Sequence, residues 1–336
     1  MGMVDGGANG VTATNDTAAR EAVRSGVAVG DRSHWGRLQV SDADRLRYLH
    51  NQTTNNFNSL QPGQGCDTVF VTSTGRTIDL VTAYVTDNAV LLLVSPNRRT
   101  YLMEWMDRFI FFADKVAIKD LTDSTATFSL LGTRSDALLE KLGAGDMVGK
   151  PYASHAIYSI NGIEARVAVG SGLTTPGYTL LTSATDAPAL WQVLTEMGVV
   201  PMSNTLWEQL RIEQGRPLPD HELTEDFNPL EAGLWHTISL SKGCYIGQET
   251  IARLHTYRGV KQQLWGVRLS APAETGSAIM AGDEKVGVLT SCTNTDQGII
   301  GLAYIRTKAV APDLKVQIGS SQGELVSLPF VSHEYL

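Results

Sequence analysis

Up to about residue 260 this chain alternates strand-like and helix-like periods. From Gln262 onward only short strand-like runs remain, divided by glycine and turn residues. Short strands divided by glycine and turn residues, with no helix among them, look like the strands of a barrel. A small β-barrel is therefore expected over 261–336, with strands at Trp265 to Leu269, Val286 to Thr290 and Gly298 to Ile305. Ahead of it the spacing predicts two successive units that mix strands and helices. In the first, Asp67 to Ser73, Thr77 to Thr86 and Ala89 to Ser95 read as a meander, with Asp87-Asn88 as the last turn. A helix over 98–111 follows, with Leu102, Trp105, Met106 and Phe109 on one face, and Ser41 to Asp44 resembles the N-cap of an earlier one. The second unit has a strand over 126–131, a helix over 135–142 stopped by Gly143, and a hairpin at Asn161-Gly162. It ends with a strand over 178–182 and helices over 186–197 and 204–214. The expectation is an α+β protein with paired ferredoxin-like halves over 27–260, a C-terminal barrel, and a central cavity where the modules pack.

A length of 336 residues with 43% hydrophobic and 18% charged content fits two or three packed modules. The net charge of −8 argues against a nucleic-acid partner, which calls for a basic face. The strongest apolar run, Ala89 to Val94, is far short of the roughly 20 residues that span a bilayer. Residues 1–26 are Gly-, Ala- and Thr-rich and carry acids, unlike a secretory signal or a transit peptide, and read as a disordered tail. The three cysteines, Cys66, Cys244 and Cys292, make no CxxC pair and suit a reducing compartment. His34, His50, His221, His236 and His255 show no metal-ligand spacing, so no stably bound metal is expected.

The chemistry concentrates in Lys242-Gly243-Cys244-Tyr245-Ile246-Gly247-Gln248-Glu249. A cation two residues from a thiol favours the thiolate, and a helix starting near Gly247 would add its free N–H groups and dipole. Cys244 is then a candidate redox or cluster-contacting thiol, with Lys242 as its activator. A packing cysteine in a glycine turn is the plainer reading.

This stretch resembles the signature of the YgfZ family, folate-binding-type proteins that assist iron–sulfur cluster assembly and repair. Leu210 to Arg216, His221-Glu222-Leu223 and Asn228 to Leu234 are similar to the wider glycine-cleavage T-protein (aminomethyltransferase) superfamily. The resemblance runs from about Gly26 to the C-terminus. Thr250 to Leu254 and Gly259 to Leu264 look most like the cyanobacterial and plastid branch. It implies an aminomethyltransferase-like fold and a role in assembling or repairing four-iron clusters, with tetrahydrofolate or a related folate as ligand. It further implies assembly or carrier proteins and client four-iron enzymes as partners, in a cyanobacterial-type cytoplasm or chloroplast stroma. Neither nucleic acid nor membrane is expected. A folate-dependent one-carbon transferase and a non-catalytic scaffold are the alternatives, and whether the chain is an enzyme stays open.

The same resemblance carries individual residues. Asp79, in Thr74 to Leu80, sits where T-proteins carry an aspartate pair near the folate, but Ile78 replaces the first acid. It would anchor the pterin or accept a proton, or be an ordinary strand aspartate paired with Arg76. Leu173 to Tyr178 lacks the glutamate that contacts the pterin in T-proteins, a loss worth about 1.5–3 kcal/mol of affinity. Of Arg211 and Glu213, two apart on a helix, one would reach the cavity and the other brace a domain contact. Glu231 would orient the signature, Tyr245 stack on a pterin or anchor packing, and Gln248 and Glu249 position the thiol or ligand. Arg253 and Arg258 would meet a glutamate tail or face solvent.

Overall fold

The computed structural model describes residues 15–311 and 314–335. A five-stranded antiparallel sheet runs in the order Gly65–Val71, Thr77–Val85, Ala89–Val94, Gly36–Ser41, Ala117–Asp120. Its strands are Val-, Leu- and Thr-rich, and helices Arg45–Gln52 and Arg99–Asp107 seal one face with Tyr48, Leu49, Leu102, Trp105 and Met106. The first helix begins after Asp44, later than the Ser41 cap expected; Asp42 takes φ 75°, a conformation aspartate tolerates.

The second sheet has six strands, in the order Val200–Met202, Ala28–Asp31, Thr125–Leu131, Gly177–Ser183, Ile163–Val169, His155–Ile160. Only the pair formed by Ala28–Asp31 and Val200–Met202 is parallel. Leu138, Leu139, Leu190 and Leu194, from helices Ser135–Lys141 and Ala187–Glu196, fill one face. Leu206, Trp207 and Leu210 of helix Asn204–Gln214 fill the other, with Ala19 and Ala22 of helix Asp16–Ser25.

Two features depart from the sequence reading. The units do not follow one another in the chain: Ala28–Asp31 belongs to the six-stranded sheet, and the five-stranded unit is threaded in before the chain returns at Thr125. Part of the expected tail is the helix Asp16–Ser25, capped by Asn15 and tied down by Asp16 to Ser203 and by Arg20 to Glu213 (2.7 Å). Its buried face is made of alanines, which carry no apolar signal large enough to read. The remainder of that tail, residues 1–14, lies outside the described residues.

The barrel closes on itself through Gln262–Leu269, Gly298–Arg306, Glu284–Thr295, Ala278–Ala281, Lys315–Ile318 and Ser321–Val326. Between helix Asn204–Gln214 and the barrel, residues 216–247 form little regular structure, yet they are the glue of the molecule. Phe227, Leu230, Leu234, Trp235 and Tyr245 bury against Val69, Val71 and Leu80 of the five-stranded sheet and Leu264, Leu302 and Tyr304 of the barrel. The Phe227 and Tyr304 rings stack at 3.5 Å.

Candidate functional site

The signature loop is strapped to the end of helix Arg45–Gln52. The Lys242 ammonium donates to the carbonyls of Thr53 (2.7 Å), Asn55 (2.6 Å) and His50. A lysine has three donors, and all three are used. Burial pushes its pKa down to about 7, while its charge rests 4.6 Å from the centre of the Tyr245 ring. Beyond it, the Ile246 N–H donates to the Asn51 carbonyl (2.9 Å). Thr54 Oγ1 donates to the Thr237 carbonyl (2.8 Å) and the Ser239 N–H to the Thr54 carbonyl (3.0 Å), fixing the approach. The expected activator of the thiol is thus a buried clamp, because a helix C-terminus offers unpaired carbonyls that a cation satisfies.

Cys244 lies between these anchors and is exposed. The expected helix follows, as Gln248–Thr256. Its N-cap, Gly247, has φ 80°, and a Cβ there would stand 2.6 Å from the Thr72 carbonyl oxygen and 2.9 Å from Gly75 Cα. Glycine is required at this point for both conformation and contact. Tyr245 is buried in the junction core, so it anchors packing and offers no open face for a ligand. Gln248 is half-buried, and Glu249 and Arg253 are exposed on the helix surface.

The remaining candidates are dispersed. Asp79 is completely enclosed; its carboxylate accepts the Ser95 hydroxyl (2.6 Å) and N–H (2.9 Å), and burial lifts its pKa to about 6. Glu231 accepts the Asn228 N–H (3.1 Å) and faces Arg76 at 3.7 Å, shaping its own loop. Arg211 does not reach a cavity. Its guanidinium pairs with Glu222 (2.8 Å) and Glu208 and donates to Ser291 (2.9 Å) of the barrel, while Glu222 also accepts from Thr290 and Ser291. Glu213 is likewise structural, on Arg20. Both residues of the pair brace.

What the two sheets and segment 216–247 bring together is a different set. Tyr152, from the six-stranded half, leaves 46% of its surface exposed while its hydroxyl reaches both oxygens of Asp67 on the five-stranded sheet (2.9 Å each). Thr82 donates to the same carboxylate (2.6 Å). Tyr84, buried on the same sheet, packs with Ala153 and Ala168 across the sheet junction. Arg32 and Arg216 stand on Trp35, at 3.8 and 4.8 Å from its ring centre. Arg216 ends the Leu210 to Arg216 motif, whereas Arg32, Trp35, Asp67 and Tyr152 carry no local pattern. Only the threading of the chain assembles them.

The GCVT N-terminal domain family matches residues 12–242. A chloroplastic protein of Arabidopsis thaliana, At1g60990, provisionally named a transferase, is 49% identical over 96% of this chain and 75% of its own length. An aminomethyltransferase of Rubrobacter xylanophilus is 31% identical over 86% of this chain and 78% of its own. The glycine cleavage system aminomethyltransferase T of Bartonella henselae superposes with a TM-score of 0.81 over 95% of this chain and 90% of its own, at 16% identity. With its mixed α+β architecture, its closed barrel and these matches, the chain belongs to the GCVT-domain family and carries the aminomethyltransferase fold.

Proposed function

We propose that this chain is a YgfZ-type accessory factor in the assembly or repair of four-iron clusters, with Cys244 as its working thiol and a tetrahydrofolate-type ligand at its centre. One observation carries the reading: the signature loop spends Lys242, Tyr245 and Gly247 on anchorage and leaves the Cys244 thiol exposed. A rigid strap under an accessible sulfur suits a group that must meet another macromolecule's cluster or thiol. Asp79, at the position of the transferases' aspartate pair, is enclosed and engaged on both oxygens by Ser95, which counts against its acting on a bound folate.

The central residues fit a pterin chemically. Asp67 is an acceptor for amidine-like N–H groups, Tyr152 offers an exposed aromatic face, and Arg32 Nε is a buried donor without an acceptor. Bound there, the folate would supply one-carbon or reducing chemistry. The chain's part is to hold the ring system and to keep Asp67 fixed through Tyr152 and Thr82. Cluster scaffold or carrier proteins and client four-iron enzymes would dock on the Cys244 face. A chloroplast stroma or cyanobacterial-type cytoplasm is the compartment inferred, in line with the chloroplastic relative. Among the described residues no helix is long and apolar enough to cross a membrane.

The family and its named aminomethyltransferases favour a second reading, a folate-dependent one-carbon transferase. Expression in a bacterial strain lacking its YgfZ-type factor separates the two. The accessory reading expects four-iron enzyme activity to recover under oxidative stress. No recovery, together with methylene-tetrahydrofolate formed stoichiometrically from a methylamine donor by the purified protein, would establish the transferase instead.

A further inference from the structure

A guanidinium withdrawn from water normally faces a carboxylate or a full set of carbonyls, because an uncompensated buried charge costs several kcal/mol. Two buried arginines here follow that rule: Arg211 sits between Glu222 and Glu208, and Arg37 donates to the carbonyls of Ser33, Trp35, Thr122 and Thr125. Arg32 and Arg216 do not. Both are buried, and among the described residues neither forms a salt bridge. Arg32 Nη1 donates to Ser129 Oγ (3.1 Å) and the Ser171 carbonyl (3.4 Å), and its Nε is buried with no acceptor. Arg216 Nη1 reaches the carbonyl of its neighbour Pro217 at 3.4 Å, and its other N–H groups meet no protein acceptor among the described residues.

The fold goes out of its way to hold them together. Both guanidiniums stack on Trp35, and Arg32 also lies 4.3 Å from the centre of the Trp207 ring. A Cβ at Gly172 would stand 2.4 Å from Arg32 Nη1, so glycine makes the berth. Aromatic faces attract a cation and fix its orientation, but they do not neutralise two like charges. The positive charge of Arg216 is one reason, after burial, that Arg32 is pushed down to about 9. Two carboxylates act on Arg216 from nearby, but both are engaged elsewhere, Asp67 by Tyr152 and Thr82 and Asp79 by the Ser95 hydroxyl and N–H.

We propose that Arg32 and Arg216, aligned on Trp35, form a site for an oxyanion: the carboxylate or phosphate group of a small ligand. Planar guanidinium forks suit such groups, which accept paired N–H bonds. The nearby Asp67 carboxylate repels an anion, so a ligand would bind with its acidic group toward the arginines and its N–H donors toward Asp67. This site shares Arg32 and Asp67 with the folate reading but rests on the unmet donors of the two arginines, so either can fail without the other.

Isothermal titration calorimetry of the full chain tests it, with inorganic phosphate in one arm and malonate in the other, against sodium chloride at matched ionic strength. Saturable binding near one site per chain is expected in at least one arm, and the arm identifies the phosphate or carboxylate class. Arg32→Met and Arg216→Met should each weaken that binding at least tenfold while keeping a cooperative unfolding transition. If the methionine variants fail to fold, Arg216→Lys, which keeps charge but lacks the fork, should show the same loss. Heats indistinguishable from chloride in both arms, or undiminished affinity in the folded variants, would overturn the proposal. Failure of tetrahydrofolate to bind, with phosphate or malonate still binding, would sink the folate reading and leave this one standing.

Discussion

At the scale of the residue, the signature divides into one displayed side chain and several that hold it. Lys242 has no spare donor for Cys244, because three carbonyls take its hydrogens. Lys242→Met removes the donors and leaves those oxygens buried, at a cost of about 3 kcal/mol in denaturant unfolding. Lys242→Arg should not rescue it, since a planar fork does not meet three converging acceptors. Asp79 makes the complementary case for an acid. Its folded pKa, about 6, lies above the unfolded value of 3.8. Its contribution to stability is therefore fully present below pH 3.8 and lost as pH rises through 6, about 3 kcal/mol over the window. Asp79→Asn should abolish that part of the pH dependence, read as the difference between variant and wild-type unfolding at pH 4 and pH 7. The sequence revealed which residues were unusual here, but not what they faced. A lysine beside a cysteine in the chain was read as its neighbour in space, and the helix end that claims the ammonium arrives from residues 50–55.

Among elements, the hairpin Thr72–Gly75 and the helix Gln248–Thr256 dock glycine to glycine. A Cβ at Gly75 would meet the Gly247 carbonyl oxygen at 3.2 Å, and one at Gly247 would meet Thr72 oxygen at 2.6 Å. Gly247→Ala combines a left-handed φ with a backbone clash and should cost about 2–3 kcal/mol. Chymotrypsin nicking after Tyr245 or Tyr257 should accelerate if the helix lifts, and an unchanged cleavage rate would contradict the docking. Elements with a strong period were legible from sequence, among them the helix Asn204–Gln214 and the hairpin turning at Asn161-Gly162. The four-residue strand Ala28–Asp31 was not, since a run so short carries no period and its partners are set by distant register. The alanine-faced helix Asp16–Ser25 escaped for a related reason, having little apolar area to display.

For the whole molecule, irregular segment 216–247 joins two sheets and a barrel, and the Arg211–Glu222 pair rivets that junction. Arg211→Met should cost about 3–5 kcal/mol, because Glu222 would stay buried without its cation. Loss of the barrel's unfolding cooperativity in calorimetry would accompany it. The barrel and the α+β class were visible in the change of period at Gln262, whereas the central cluster of Arg32, Trp35, Asp67, Tyr152 and Arg216 exists only after threading. The proposal central to this molecule is that its architecture presents one thiol, that of Cys244. Its most direct test is recovery of a four-iron enzyme in a bacterial strain lacking its YgfZ-type factor, comparing wild type with Cys244→Ala at equal expression and matched thermal stability. Recovery with wild type and at least a tenfold loss with Cys244→Ala is expected. Equal recovery by both proteins would contradict it and reduce the exposed cysteine to a surface residue.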